Sequence, residues 1–395
     1  MSILSDYIKL HEANKIDFEE ELKILIRRYN NLLGTYLFLY STATYKGVQD
    51  AFMNMDDYYI IHGMLKDVNE TKLDFYIESP GGFGESAEEI AKCLHSKFDP
   101  LTFVISGEAK SAGTILVLSG DEIMMTETGS LGPVDAQMRI GRSNVSSFDY
   151  LEYLSDVKKE ALKNGKLNPA DAVIVAQISP GEYRGVEQAL HFAQDLIKEW
   201  LPKYKFKTWD IHKSTGKPVT PEEKKHRAKE IALYFVDHTK WRSHSRSLKI
   251  NDLRDVLKLE IIAIDEKPEL ADIVYRIQTV IKLYFMTSTT YKLYMTADDS
   301  IFKKAISNTI APISMPQQLP SLNHANVNAK CMQCGKDYKF YAKFAENKSI
   351  EDEMAKNGIL NLLKNLKYKC SCGFELDLNA VRNEIEQKSG KKLVE

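Results

Sequence analysis

Two blocks between residues 75 and 135 constrain this chain more than any others. The first is Phe75-Tyr76-Ile77-Glu78-Ser79-Pro80-Gly81-Gly82-Phe83-Gly84. The second is Ala109-Lys110-Ser111-Ala112-Gly113-Thr114, followed by Ile115-Leu116-Val117-Leu118-Ser119. Each reads as a short apolar strand that breaks into a turn of small residues and then opens a helix. Backbone N–H groups at such a corner have no partner inside the helix and are free to hold an anion. A hydroxyl at the same corner is presented to whatever the amides hold. These are the parts of an acyl-transfer site, where amides stabilise a tetrahedral oxyanion and a serine is the nucleophile.

The flanking sequence alternates in the same way. Strands are expected over 35–40, 73–77, 101–105 and 122–125, and helices over 50–68, 85–97 and 110–119. On the 85–97 helix, Ala87, Ile90, Ala91 and Leu94 share one face. Strand and helix joined by short turns predict an α/β layered domain with a largely parallel sheet, whose site lies beyond the carboxyl ends of the strands.

Residues 1–34 read as an N-terminal helical segment with Phe18, Leu22, Leu25 and Ile26 at helical spacing. Helical patterns recur over 148–165, 180–200 and 271–285, with a small strand–helix–strand unit over 248–265. Thr220-Pro221-Glu222-Glu223 is a capping box with proline at the first helical position, so a helix starts there and runs to about 236. Pro312, Pro316 and Pro320, set among Gln, Ser and Asn, mark 309–329 as a linker. The expected organisation is a peptidase-like core at 35–205, an α/β extension at 206–308 that completes it, and a separate module at 330–395.

Composition adds bounds. At 395 residues, 44% hydrophobic and 27% charged, the chain has ordinary globular content, and its net charge of −2 argues against a globally basic nucleic-acid binder. The first dozen residues have no basic region leading into an apolar one, so no signal peptide is expected. The most apolar run, 32–40, is too short to span a bilayer. Of five cysteines, four cluster near the C-terminus, which is not a disulfide framework. A cytoplasmic location without a membrane span is the expectation.

Ser111 is the candidate nucleophile. A hydroxyl at the start of a helix is ordinarily an N-cap. Its neighbours Ala112 and Gly113, however, leave room for a substrate backbone, and the Pro80-Gly81-Gly82 turn stands on the preceding corner.

Ser79-Pro80-Gly81-Gly82, then Ala109-Lys110-Ser111-Ala112-Gly113-Thr114, then Ser130-Leu131-Gly132-Pro133-Val134-Asp135-Ala136-Gln137 resembles the Clp-protease-like/crotonase-type superfamily. Within it the chain is similar to the serine dehydrogenase proteinase family, related to the signal peptide peptidase A type. Trp241-Arg242-Ser243-His244-Ser245 resembles that family's later histidine-containing segment. The resemblance implies stacked ββα units assembled into a homo-oligomeric ring, a peptide or protein substrate and a nucleophile at Ser111. It also implies an oxyanion hole from the Gly81 or Gly82 amide and the Ala112 amide.

The Clp pattern carries its histidine about two dozen residues after the serine, and 129–138 contains none. The base is therefore sought elsewhere. Lys158 or Lys159 would need desolvation to approach neutrality, whereas His244 titrates near the operating range unaided. Asp135 could orient a base or cap a turn. Two other readings stand beside the peptidase. One is a crotonase-like acyl-CoA enzyme using Glu85 or Glu88. The other is an inactive protease scaffold that acts as a binding module. Cys93 reads as inert packing.

In the last module, Cys331-Met332-Gln333-Cys334-Gly335 and Cys370-Ser371-Cys372-Gly373 supply two thiolate pairs on glycine turns, a set suited to a structural tetrahedral zinc. The second pair is one residue tighter than usual, and a helical insert is expected at 346–365. Such a closed site would serve docking to a protein partner. Lys336, Lys364, Lys367 and Lys369, interleaved with Tyr338, Phe340 and Tyr341, would also permit nucleic-acid contact.

Overall fold

A computed structural model describes residues 2–134, 137–140, 143–213, 215–241, 246–305, 324–346, 348–389 and 391–394. The chain divides into two compact units, Met1–Ala305 and Ile306–Glu395.

In the first unit, α1 (Ile3–Glu12) and α2 (Phe18–Leu33) precede β1 (Tyr36–Thr42). There follow α3 (Met55–Leu65), β2 (Leu73–Glu78), α4 (Gly84–His95), β3 (Leu101–Ile105), β4 (Glu108–Ala109), α5 (Ala112–Val117), β5 (Glu122–Met125) and β6 (Ser130–Leu131). A hairpin of β7 (Gln137–Ile140) and β8 (Ser143–Ser146) leads into α6 (Ser147–Asn164), α7 (Pro169–Val175), α8 (Pro180–Lys203), α9 (Pro221–Val236) and the single turn α10 (His238–Trp241). The unit closes with β9 (Ile262–Ala263), α11 (Pro268–Thr287), β10 (Thr290–Met295) and β11 (Ser300–Lys304).

The fold is mixed α/β around a seven-stranded sheet of order β11-β10-β1-β2-β3-β5-β9. The five strands from β1 to β9 run parallel, and β10 and β11 add an antiparallel edge. Alternation along each strand serves two cores, as a sheet covered on both faces requires. Phe38, Phe75, Phe103 and Ile123 face α4, α5, α8 and α9, while Leu37, Tyr76, Val104, Met124 and Leu293 face α2 and α11. Register stacks Phe38 on Phe75 and Phe75 on Phe103 across three neighbouring strands.

Three features depart from the sequence reading. The helix expected from residue 110 begins at Ala112, because Lys110 and Ser111 form the corner itself. Over 248–265, Leu248 makes only a bridge to Leu131, and Asp252–Val256 is a wide helical turn before β9. The sequence reading places no strand over β10 and β11; β10 nevertheless alternates, with Tyr291, Leu293 and Met295 in one core and Tyr294 in the other, and partners on both faces bury all six of its residues, Lys292 included. Among the described residues no helix is long and apolar enough to cross a membrane.

The second unit holds a hairpin of β12 (His324–Lys330) and β13 (Asp337–Lys343), then α12 (Lys348–Lys356) and β14 (Leu360–Asn361). A second hairpin of β15 (Lys367–Lys369) and β16 (Glu375–Asp377) precedes α13 (Asn379–Ser389). Phe340 and Tyr341 are buried in this unit, so they offer no stacking surface for a nucleic acid.

Candidate active site

The corners after β2 and β4 are stitched together by backbone. The Ser79 amide donates to Glu108 O at 2.8 Å, and the Lys110 amide donates to Ser79 O at 3.0 Å. Gly81 has φ 99°, and a β-carbon there would lie 2.7 Å from both Lys110 O and Ser111 Cβ. On its other side the turn meets Met53, whose amide donates to Gly81 O at 2.7 Å and whose carbonyl accepts from the Phe83 amide at 3.0 Å. A β-carbon on Gly82 would come within 2.2 Å of Met53 O. Both glycines are demanded by close backbone approach.

Ser111 occupies the N-cap position of α5 at φ 49°, ψ −117°, yet its side chain makes no capping hydrogen bond. The hydroxyl is therefore not spent on the helix, although the residue stands at its N-cap. A serine with positive φ costs on the order of 1–3 kcal/mol and persists only where its surroundings over-determine it. Here the Gly113 amide donates to Lys110 O at 2.8 Å and the Ile115 amide to Ser111 O at 3.1 Å. The result is a half-buried serine displayed on a strained strand-to-helix elbow.

Of the amides expected to hold an oxyanion, that of Gly81 already donates to Ser79 Oγ at 3.2 Å. Those of Gly82 and Ala112 have no backbone acceptor among the described residues.

Behind the serine, Lys110 is buried. Its Nζ donates to Ser130 Oγ (3.3 Å), Leu131 O (3.2 Å), Arg246 O (3.2 Å) and Ser247 Oγ (2.9 Å). Burial pulls the ammonium down to about 8. Thr114 Oγ1 donates to Ala109 O at 2.7 Å and accepts the Gly132 amide at 3.0 Å. Leu131 pairs with Leu248, and the Val134 amide reaches Phe235 O at 2.9 Å. Lys110 and Thr114 thus tie the 130–134 and 246–248 segments to the elbow, a function no local sequence signal announced.

Asp135 and His244 lie outside the described residues. Lys158 and Lys159 stand exposed on α6, with Lys159 Nζ 2.8 Å from Asp156. Glu85 is exposed, and Glu88 is paired with Lys92 at 2.8 Å. Cys93 is half-buried, and burial raises its thiol. Sequence reasoning missed Glu78, at the end of β2, which accepts from Ser41 Oγ at 3.3 Å. Its burial raises the carboxyl to about 7. A cavity of about 1030 Å³, lined by Trp209, His212, Arg227 and Arg254 among others, does not include Ser111.

Residues 38–233 match the family described as ClpP-like SDH-type serine proteinase. That segment of the chain belongs to it. The ClpP-like SDH-type match contains both corners, Ser111, Lys158 and Lys159, and it ends before His244 and before the Arg246 and Ser247 partners of Lys110.

Two curated relatives come from Methanocaldococcus jannaschii. Uncharacterized protein MJ0137 is 27% identical over 179 residues, covering 44% of this chain and 57% of the relative. Uncharacterized protein MJ1495 is 26% identical over 140 residues, covering 35% and 43%. The chain therefore spans about half the length of the curated relatives it matches. Among solved structures, two forms of the 1510-N membrane-bound stomatin-specific protease are similar. A serine-to-alanine mutant has 12% identity and a TM-score of 0.33, covering 55% of this chain and 79% of that one. A lysine-to-alanine mutant in complex with a substrate peptide has 14% identity and a TM-score of 0.31, covering 53% and 68%.

In the second unit the four cysteines converge, their sulfurs all within 4.8 Å of one another. Cys331 Sγ is 3.6 Å from Cys372 Sγ, and Cys334 Sγ is 3.5 Å from Cys370 Sγ. Tetrahedral thiolates about 2.3 Å from a metal would stand about 3.8 Å apart, so the cluster fits a four-sulfur metal site. Each pair sits on the turn of one hairpin, with Gly335 at φ 76° and Gly373 at φ 92°. The tighter spacing of Cys370 and Cys372 is accommodated there. The Tyr338 hydroxyl donates to Cys370 Sγ at 3.1 Å. The Cys372 amide and that hydroxyl hold the Cys370 thiol well below the ordinary range.

Proposed function

We propose that the chain is a serine peptidase that cleaves peptide bonds through an acyl-enzyme on Ser111. The observation that carries this reading is the Ser111 elbow: a strained backbone, a hydroxyl not used to cap its helix, and Gly81 pressed against its Cβ. Ser111 Oγ attacks the scissile carbonyl as a base takes its proton, and the carbonyl oxygen becomes an oxyanion held by the Gly82 and Ala112 amides. The amine leaves with that proton, and water then releases the acyl group by the reverse sequence. Gly81 contributes shape, since its own amide is engaged by Ser79.

His244 is proposed as the base ahead of Lys158 and Lys159. In support, Arg246 and Ser247, two and three residues after it, are bound to the lysine that precedes the nucleophile. The two lysines are solvated. Asp135 would orient that base. The α6–α7 arm leaves Leu162, Leu167, Val173 and Ile174 exposed, which supports assembly into a homo-oligomeric ring that would cover them.

The cysteine site is proposed to hold structural zinc in a zinc-ribbon-like module. Cys331, Cys334, Cys370 and Cys372 would be its ligands, closed to substrate, and the module would dock a protein partner. A fluorophosphonate probe tests the central assignment: the folded wild-type protein labels and Ser111→Ala does not. Equal labelling of the two, or none of either, overturns it. Acyl-CoA binding unaffected by Ser111→Ala would favour the crotonase-like chemistry instead.

A further inference from the structure

Lys292 lies on β10, beyond the segment that matches the family. Its side chain and that of Asp57 are both 0% exposed, with Nζ 2.8 Å from each carboxylate oxygen. The Tyr294 hydroxyl donates to the same carboxylate. Lys292 Nζ also donates to Phe52 O at 2.8 Å, and Asp57 Oδ2 accepts the Asn54 amide at 2.7 Å. The pair therefore grips the backbone immediately before and immediately after Met53. Met53 bonds both Gly81 O and the Phe83 amide, so on this side one residue, through two backbone hydrogen bonds, joins the glycine turn to the pair. The Tyr40 hydroxyl is buried beside Asp57 and Ser79, and Ser79 Oγ receives the Gly81 amide.

An ion pair without solvent contact is a weak source of stability, because desolvation of both charges offsets their attraction. Direction is what it supplies. A carboxylate and an ammonium together hold the Phe52 carbonyl and the Asn54 amide at defined points, which apolar side chains of equal volume would leave unheld. We propose that Lys292 and Asp57 are a positioning pair that aims the Gly82 amide at the oxyanion, a role that rests on the acyl-transfer reading above.

The test compares wild type, Lys292→Met and the charge-neutral double variant Lys292→Met/Asp57→Asn. Melting temperature is measured, together with the maximal rate and half-saturation of fluorophosphonate labelling at Ser111. Lys292→Met alone strands a buried carboxylate and melts about 10 °C lower. The double variant recovers most of that loss. Its maximal labelling rate nevertheless stays about 10- to 100-fold below wild type, less than the roughly 100- to 1000-fold cost of losing one oxyanion donor outright, while half-saturation moves less than threefold. Lys292→Met, read well below its own melting temperature, gives the same split. A folded double variant that labels within twofold of wild type overturns the proposal and leaves the acyl-transfer reading intact. A wild-type protein that fails to label brings down that reading and the pair's role with it.

Discussion

A β-carbon on Gly81 would stand 2.7 Å from Cβ of Ser111, closer than any two such atoms tolerate. The glycine is the mould against which the nucleophile is pressed. Gly81→Ala is expected to push Ser111 off its elbow and lower the rate of probe labelling at least 100-fold, with a falling melting temperature. Gly63→Ala is the control, since nothing lies within 4 Å of its would-be β-carbon in α3. That change should leave labelling unaltered and stabilise the fold by about 0.5–1 kcal/mol.

The strained φ of 49° at Ser111 makes a second prediction with opposite signs for activity and stability. Ser111→Gly relieves the left-handed backbone and removes no capping bond, so the variant should be inert to the probe and more stable by about 1 kcal/mol. Thermal unfolding checks it; a substantially less stable glycine variant would mean that the hydroxyl holds the fold.

The base is separable by mutation. His244→Gln is expected to lower peptide hydrolysis by about 100- to 10,000-fold and remove the limb of the rate profile that rises near pH 6–7. Lys158→Ala and Lys159→Ala, on the exposed face of α6, are expected to leave the profile within about twofold. Loss of activity in either lysine variant would transfer the role.

Glu78 makes a prediction about pH. Its folded carboxyl is raised to about 7 by burial, against an ordinary 4.5. The folded state therefore holds the proton that the unfolded state has released. This contribution to stability is fully present below about pH 4.5 and is lost as pH rises through about 7. The loss is on the order of 2–3 kcal/mol. Denaturant titrations of Glu78→Gln across that window should lack the slope.

For the cysteine site, the expected stoichiometry is one zinc per chain by elemental analysis, falling below one-tenth in Cys370→Ser. Tyr338→Phe removes a hydroxyl that lies 3.1 Å from Cys370 Sγ, and should weaken metal retention against a chelator about tenfold while leaving stoichiometry intact.

Much of the site was legible because its signals are local. The alternation of strand and helix from 35 to 125 follows from apolar periodicity, and the strands at 101–105 and 122–125 form at those bounds. Ser111 at a corner, the glycines of the preceding turn and two cysteine knuckles are read from neighbours a few residues apart. Strands β10 and β11 were not legible, because Lys292 within β10 is buried through its pairing with Asp57, far away in the chain, and β11 is a partly exposed edge strand that forms on β10.

What the sequence determined by itself is the set of parts: a parallel-rich α/β sheet, two strand–turn–helix corners, a serine on one of them, and four thiols able to converge. Tertiary structure alone decided how those parts are used. It released the Ser111 hydroxyl from capping, spent the Gly81 amide on Ser79, and buried Lys110 against residues more than a hundred positions away. It also brought Lys292 to Asp57 across 235 residues. The physical reason is range. Periodicity and turn chemistry act between near neighbours, whereas the burial of a charge and the partner it finds depend on which strands the sheet sets side by side.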